Sequence, residues 1–360
     1  MQIIQPYAVI VRMNDQILKS VIEITRQRDI DSLELSLVST LAEFTPVSTI
    51  TLYKSLQNSS ADDVEEVVRL SVSENNENGK NYNWSNEKQV VTANNYVHQC
   101  FQSAAVIRSE TDDGYTYLLY PVFLDHKVSR VLSLESHEIL TPWHTLIEAL
   151  ITIYNNYLAI LNESERDKLT GLLNRRTFDL KLDKLLQAQR EKQATYMELS
   201  LASEKRHPEA MSCTWLAMLD IDNFKSINDT YGHLFGDEVL LTLSQKMKQN
   251  FRNSDLLFRF GGEEFVVILE PTSPEMAKRV FERFSQAIAG HDFPQIGKTT
   301  ISIGFARLME TDYPHTILVR ADKALYYAKE HGKNCVFNYD ELLANGLLSE
   351  KQTTGSAVIF

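Results

Sequence analysis

The spacing of apolar residues predicts helices and then strands in the opening third of the chain. Two stripes with helical spacing lie within residues 17–44: Ile17, Val21 and Ile24, then Leu33, Leu37 and Leu41. A β-branched run at residues 48–54 and an apolar run at 64–72 favour two strands. The Asn-rich polar residues 74–87 are predicted to form a loop.

A β-hairpin is predicted at the end of this region. Apolar runs at residues 118–124 and 128–134 flank a short polar link at 125–127, which is the pattern of two strands and a turn. Helices, strands, a loop and a hairpin in this order are typical of a mixed α+β domain, which we place at residues 1–140.

A long helix is predicted after this domain. Thr141 suits an N-cap and Pro142 the first helical position, where its missing N–H costs nothing. Apolar residues then recur at spacings of four and three, as in a heptad seam: Leu146, Leu150, Ile153, Tyr157 and Ile160. The seam indicates a parallel coiled coil between two copies of the chain at residues 141–165, and the alternative is a helix packed on its own domain.

A second hairpin is predicted in the C-terminal half. Strand-like residues 256–260 and 265–269 lie on either side of a Gly-Gly pair. We expect Gly261 and Gly262 to form its two-residue turn, because glycine adopts positive φ without a Cβ penalty.

The remaining C-terminal pattern alternates strands and helices. A buried strand is expected at residues 214–219, another strand at 299–305, and a helix at 321–329. Residues 187–208 are predicted to be a helix followed by a solvated loop. Another helix should bury one apolar stripe: Leu240, Leu243, Met247 and Phe251.

Composition narrows the functional classes. The chain has 360 residues, is 43% hydrophobic and 23% charged, and resembles a soluble globular protein in these respects. A formal charge of -12 argues against nonspecific nucleic-acid binding, so a phosphorylated ligand would need a metal or local bases. Three distant cysteines fit a reducing compartment, and the apolar residues 3–11 are too short to span a bilayer. We therefore expect a cytoplasmic protein that binds neither nucleic acid nor membrane.

Two adjacent carboxylates, Glu263 and Glu264, follow the predicted glycine turn. They would repel each other unless water, a cation or a basic substrate complex compensates, so the pair indicates a metal site. The alternative is a solvated hairpin tip, because acidic residues are common in turns.

Further candidate residues lie near strand and helix ends. Asp220 ends a predicted buried strand and could bind a metal or cap the next helix. Asn228 and Asp237 could read the edge of a guanine, although Asp237 could also be a cap. Lys329 and Lys333, predicted on one helical face, could hold phosphates or merely complement a helix C-terminus.

Taken together, four motifs resemble the GGDEF family of diguanylate cyclases, in the variant with Glu after the glycines. They occupy, in order, residues 167–176, 220–237, 259–265 and 321–334. The resemblance implies a nucleotidyl-cyclase-like domain at residues 166–345, with a mostly antiparallel central sheet flanked by helices, and a tail at 346–360. The layout of residues 1–140 resembles a GAF sensory domain, so the expected architecture is α+β with two domains and a helical linker.

This resemblance implies an enzyme that condenses two GTP into cyclic di-GMP and releases pyrophosphate. Asp220, the carbonyl of Ile221 and Glu263 would hold Mg²⁺, or Mn²⁺ in its place. Glu263 would also help deprotonate the ribose 3′-hydroxyl, and Glu264 would support the metal site. Lys225 matches the position assigned to transition-state stabilisation.

The implied substrate-binding residues include one departure from the family. They are Phe224, Asn228, Asp237, Lys329 and Lys333. Asn228 and Asp237 would bind guanine, and Lys329 phosphate. The family usually has Arg where this chain has Lys333, which keeps the charge but loses the two-pronged donor, so phosphate affinity or rate is affected more than reaction type.

Arg252 and Asp255 match the family's product-binding inhibitory motif, and a surface ion pair is the alternative.

Because each domain of the family holds one GTP, two copies must face each other, which implies a homodimer. The first domain would set the dimer geometry in response to an unidentified small-molecule or protein signal. The competing functions are a catalytically weak receptor for cyclic di-GMP or GTP, and a signalling scaffold.

Overall fold

The computed structural model describes residues 4–56, 63–75, 79–85, 88–110, 114–124, 126–202 and 213–349. The chain divides into two compact units, Met1–Ser164 and Glu165–Phe360. Each unit has its own sheet and its own buried apolar core. No helix within the described ranges is both long enough and apolar enough to cross a bilayer.

The first unit is built on a seven-stranded antiparallel sheet. Its elements in chain order are α1 (Ile4–Arg26), α2 (Ile30–Phe44), β1 (Thr49–Ser55), β2 (Asp63–Asn75), β3 (Gly79–Ser85), β4 (Gln89–Thr92), α3 (Asn95–Ser103), β5 (Ile107–Glu110), β6 (Thr116–Leu124), β7 (Lys127–Ser136) and α4 (His144–Glu165). The strand order is β3-β2-β1-β7-β6-β5, and β4 also pairs with β2. The predicted hairpin is therefore confirmed as β6 and β7.

Helices α1, α2 and α4 supply the apolar side chains that pack with this sheet in the main core. Leu33, Leu37 and Leu41 of α2 are completely buried, as their spacing predicts. Burial of one such side chain stabilises the fold by roughly 1.5–3 kcal/mol. Asp29 begins α2 because its carboxylate accepts the N–H of Ser32, which satisfies an otherwise unpaired helix donor.

The predicted loop at residues 74–87 is wrong in part. Gly79–Ser85 form β3, which pairs with the far end of β2 in the register Tyr82 to Val72. Every residue of β3 is exposed, because it lies at the edge of the sheet. Tyr82 and Trp84 do alternate with polar residues, but this short signal lies within an Asn-rich polar stretch that favours a loop, and the pairing with β2 defines the strand.

The helix after residue 140 starts differently from the prediction. Thr141–Trp143 form a 3₁₀ turn with Leu140 at the cap position, so Thr141 is not the N-cap. The residues of α4 that lie in the core of the first unit are Ile147, Leu150, Ile151, Tyr154, Leu158 and Leu161. Of the predicted seam, Leu150 belongs to this core while Ile160 is 59% exposed. The helix thus packs on its own unit, and the coiled coil remains a prediction.

The second unit is built on a six-stranded sheet. Its elements are β8 (Leu173–Asn174), α5 (Arg175–Ala202), β9 (Cys213–Ile221), α6 (Phe224–Tyr231), α7 (His233–Asn250), β10 (Leu256–Gly261), β11 (Glu264–Thr272), α8 (Pro274–Ala289), β12 (Ile301–Arg307), α9 (Pro314–Glu330), β13 (Val336–Asn338) and α10 (Tyr339–Ala344). The strand order is β13-β12-β9-β11-β10-β8. Only the two outer pairings of this order are parallel, which confirms a mostly antiparallel sheet.

Both faces of this sheet are covered by helices. The stripe predicted on α7 is buried with α8 in one core, and α5, α9 and α10 contribute to the other. A Cβ built on Gly304 of β12 would overlap the backbone N of Leu325, so glycine allows α9 to approach the sheet closely. The helix predicted from residue 187 continues to Ala202, and residues 203–208 of the predicted loop lie outside the described residues.

Candidate functional site

Asp220 lies near the end of the central strand β9. It is opposite Glu264 of β11 on one side and Ser302 of β12 on the other, and it is buried. Asn223, not Asp220, is the N-cap of the following helix. The cap interpretation of Asp220 is therefore wrong, since its carboxylate belongs to the sheet.

The acidic hairpin turns one residue later than predicted. Gly261 ends β10 and pairs with Glu264, so the two-residue turn is Gly262 and Glu263. Of the two glycines, it is Gly262 that adopts a positive φ, of 48°. A Cβ built on Gly261 would meet no atom within 4 Å, so this backbone borders open space. Glu263 consequently stands at the tip, and Glu264 starts the strand that faces Asp220.

The three carboxylates at this sheet end influence one another. Burial raises the pKa of Glu263, and the charges of Asp220 and Glu264 raise it further. Burial and the charge of Asp220 also raise the pKa of Glu264. The pKa of Asp220 is raised by burial, although Lys329 opposes that shift. Ionising all three groups together is therefore costly, and a cation would relieve the cost.

Lys329 of α9 is an ion-pair partner of this acidic group. Its Nζ lies 2.8 Å from Asp220 Oδ2. Its charge also favours the ionised form of Asp322, whose pKa is raised by burial. Sequence reasoning missed Asp322, which in turn raises the pKa of Glu264. The sequence signal that could have identified Asp322 is its position on the same helix as Lys329, seven residues or about two helical turns earlier.

Lys333 does not share a helical face with Lys329, contrary to the prediction. Helix α9 ends at Glu330, and Gly332 has a φ of 109°. Lys333 itself is in the left-handed region, with a φ of 58°. Its Nζ donates a hydrogen bond of 2.6 Å to Asn223 Oδ1, so it reaches the turn after β9.

Asp222 holds that turn in place. The Thr300 hydroxyl and the Asn334 N–H donate to its Oδ2 at 2.6 and 2.9 Å. The Ser302 hydroxyl donates to its Oδ1 at 2.7 Å. Both oxygens are thus engaged inside the protein, and the residue joins the end of β9 to β12 and to the segment after α9. This use of Asp222 was not predicted from the sequence.

The predicted guanine-reading residues lie on α6 and α7. A Cβ built on Gly236 would overlap Asn228 Oδ1 and lie 3.2 Å from the Phe224 ring, so glycine makes room for the amide. Asp237 is within α7, whose N-cap is Gly232, and the cap interpretation of Asp237 is therefore wrong. Phe224 is buried in the core, whereas Lys225 and Asp237 are exposed.

Arg252 and Asp255 lie in the turn between α7 and β10. The backbone N–H groups of Arg252 and Glu270 donate to the Asp255 carboxylate at 2.9 and 3.2 Å. Burial raises the pKa of Asp255, while these hydrogen bonds and the charges of Arg252 and Arg283 oppose the shift. Asp255 therefore shapes the turn itself, and Arg252 is exposed beside it.

The oxygen atoms near Asp220 suit a hard cation with open coordination positions. Across the described part of the chain, no three His, Cys, Asp or Glu side chains converge as a metal site. Mg²⁺, however, is usually held by one or two carboxylates, with phosphate oxygens and water completing its shell. The mutual repulsion of Asp220 and Glu263 is what a divalent cation relieves. These residues therefore fit a Mg²⁺ site that a bound phosphate completes.

Comparison with known proteins finds relatives of the second unit, which carries this site. Residues 194–335 match the family model "Diguanylate cyclase, GGDEF domain". Diguanylate cyclase DgcZ of Escherichia coli is 33% identical over 201 residues, which are 55% of this chain and 61% of DgcZ. Response regulator PleD of Caulobacter vibrioides is 38% identical over 188 residues, which are 51% of this chain and 37% of PleD. The chain thus spans less than two thirds of either relative.

A solved structure also matches the chain. It is the GGDEF domain of DgcB from Caulobacter crescentus in complex with c-di-GMP, with 29% identity and a TM-score of 0.42. The match covers 49% of this chain and 96% of that one. The family match lies within the second unit, and the GAF resemblance of the first unit remains a prediction. The part of this chain that matches the family model and these curated relatives is thus similar to the GGDEF domains of diguanylate cyclases.

Proposed function

We propose that this protein is a diguanylate cyclase that condenses two GTP molecules into cyclic di-GMP and releases pyrophosphate. The observation that carries the proposal is the meeting of Asp220 and the Glu263–Glu264 pair with Lys329 at one end of the sheet. One buried and two half-buried acids beside a lysine are suited to a metal and a triphosphate. Relatives named diguanylate cyclase, such as DgcZ, support the same activity.

Asp220, the carbonyl of Ile221 and Glu263 would hold Mg²⁺ or Mn²⁺, with Glu264 supporting them from β11. When bound, the metal supplies positive charge that stabilises the attacking and leaving oxygens of phosphoryl transfer. Glu263 would accept the proton of the ribose 3′-hydroxyl. Its raised pKa brings it closer to the working pH, which makes its ionised form a stronger base.

The nucleotide would lie between the acidic hairpin and helices α6 and α7. Asn228 and Asp237 would bind the guanine, and the open space beside Gly261 leaves room for a ligand against the backbone. Lys329 and Lys333 would bind phosphates, and Lys225 would stabilise the transition state. Phe224 would act from the core, because its ring and the guanine-binding amide of Asn228 both lie beside Gly236.

Each domain would bind one GTP, so turnover needs a homodimer in which two sites face each other. The first unit and α4 would set that geometry in response to a signal. Cyclic di-GMP would inhibit by binding at Arg252 and Asp255, where Arg283 adds a second positive charge near the carboxylate. The exposed Arg252 beside an already shaped turn also supports the second candidate function, a receptor for cyclic di-GMP.

The test is pyrophosphate release by the purified full chain with GTP and Mg²⁺. Glu263→Ala should lower the rate by about 10²-fold or more, because it removes the base and a metal ligand. Glu310→Ala removes an exposed carboxylate in a turn and should leave the rate unchanged. No turnover by the parent chain, together with cyclic di-GMP binding that Arg252→Ala abolishes, would establish the receptor instead.

A further inference from the structure

Lys329 occupies an oxygen that a metal ion would also use. Its Nζ lies 2.8 Å from Asp220 Oδ2, and the side chains of Lys329 and Asp220 are 37% and 6% exposed. The carboxylate is thus buried while the ammonium remains in reach of solvent. A divalent cation that binds Asp220 would have to compete with this ammonium, since two positive charges on one carboxylate repel each other.

We propose that Lys329 balances the charge of Asp220 until a divalent cation displaces it, and that the released ammonium then binds the nucleotide phosphates. This inference rests on the proposed metal site. Displacement couples two ligands, because the metal frees the lysine that the nucleotide needs. The coupling is reciprocal, because phosphates that draw Lys329 away from Asp220 free that carboxylate to bind the metal.

The surrounding charges favour this exchange. Lys329 acts electrostatically on four carboxylates: Asp220, Glu263, Glu264 and Asp322. A triphosphate that arrived without a metal would add negative charge to this group while the lysine is engaged with Asp220. Metal binding both neutralises the carboxylates and makes the ammonium available, so the two ligands assist each other.

The fold lets the lysine move without its helix. Helix α9 is held against β12 by the close approach at Gly304, where a Cβ would overlap the backbone of Leu325. The backbone position of Lys329 is therefore fixed, and the exchange is a rotation of its flexible four-carbon stem. Lys333 differs, because its partner is the neutral amide oxygen of Asn223. The charge of Lys333 also acts on Asp220, but more weakly than that of Lys329. Lys329 is the residue that is ion-paired with this carboxylate, so the coupling belongs to Lys329.

The experiment measures Mn²⁺ binding to the nucleotide-free full chain by electron paramagnetic resonance of the free ion. Lys329→Met should bind Mn²⁺ about three- to tenfold more tightly than the parent, because its competitor is gone. The same variant should bind GDP less tightly in the presence of Mg²⁺. Lys329→Arg keeps the charge and should stay within about twofold of the parent for Mn²⁺.

Matched variants separate the possible outcomes. Lys323→Met removes the same side chain elsewhere on α9 and should leave Mn²⁺ affinity unchanged. Lys329→Gln provides a second neutral variant if Lys329→Met does not fold. Weaker or equal Mn²⁺ binding by a folded neutral variant would overturn the inference. If Asp220→Asn does not weaken Mn²⁺ binding, the metal site of the proposed function fails as well, which distinguishes the two failures.

Discussion

Arg259 joins the tip of the acidic hairpin to Asp167 at the start of the second unit. Its Nη1 donates to both carboxylate oxygens of Asp167, at 3.1 and 3.3 Å. Its Nε and Nη2 donate to the carbonyl of Gly262 at 3.1 and 2.8 Å. Burial raises the pKa of Asp167, but hydrogen bonds from Thr170 and Arg259 outweigh it and hold that pKa below its usual range. Because Gly262 precedes Glu263, the guanidinium positions the turn that carries the proposed base.

Arg259→Lys should slow catalysis without removing the charge. A lysine can pair with Asp167, but it cannot also present the planar fork that holds the Gly262 carbonyl. We expect kcat for pyrophosphate release to fall by about tenfold, because a small displacement of a catalytic carboxylate is costly. The KM for GTP should change much less, since no guanine-binding residue is moved.

Arg279→Lys is the matched control, an exposed position on α8 where loss of the fork should have no effect on kcat. If Arg259→Lys retained kcat within about twofold, the position of Glu263 would not depend on this guanidinium. Equal thermal stability of the two variants would show that any loss of rate is local to the hairpin.

Gly236→Ala should weaken GTP binding by displacing the Asn228 amide. The new Cβ would overlap Asn228 Oδ1, whereas the helical backbone at this position accepts alanine readily. We expect the KM for GTP to rise about tenfold, the worth of roughly 1.4 kcal/mol, with a smaller change in kcat. Steady-state kinetics with GTP measure both quantities.

A double-mutant cycle identifies the cause of that effect. In the Asn228→Ala background, Gly236→Ala should produce no further increase in KM, because the displaced amide is absent. Additive effects of the two substitutions would instead mean that the alanine acts elsewhere, for instance on the Phe224 ring that also lies near its Cβ.

Sequence patterns predicted the elements that bury apolar side chains. The stripe on α7 and the central strand β9 were predicted because buried elements show a recognisable pattern of apolar residues in the sequence. Strand β3 has no buried residue, and the short alternation of Tyr82 and Trp84 with polar residues was outweighed by the Asn-rich composition around it, so its place at the sheet edge follows from pairing with β2. The sequence also left undecided what α4 packs against, because one helix can present apolar residues both to its own unit and to a second copy of the chain.

Within the site, the sequence predicted the carboxylates but not the residues that contact them in the folded protein. Asp220 and Glu263 were found because acids at strand ends are conspicuous. The three hydrogen-bond donors to Asp222 come from residues about 80 and 112 positions away in the sequence, so these bonds could be identified only from the folded structure. The separation of Lys333 from the helix follows from the backbone at Gly332, and its spacing from Lys329 suggested the opposite.

The electrostatics of Glu264 predict a stability effect with a definite sign. Burial, followed by the charge of Asp220, raises its pKa above the usual 4.5. A carboxyl group with a higher pKa in the folded state binds protons more strongly there than in the unfolded chain. Its contribution to stability is therefore complete below the unfolded pKa and is lost as the pH rises through the folded pKa. At neutral pH, the ionised Glu264 lowers the free energy of unfolding.

Glu264→Gln should consequently raise the melting temperature of the second unit at neutral pH in metal-free buffer, by on the order of 2 °C. The gain should vanish when the pH falls below the unfolded carboxyl pKa, because the parent side chain is then neutral as well. Differential scanning calorimetry across this pH range measures it, with Glu310→Gln at an exposed position as the control. A lower melting temperature for Glu264→Gln at neutral pH would mean that attraction to Lys329 and Arg175 outweighs burial and the repulsion from Asp220.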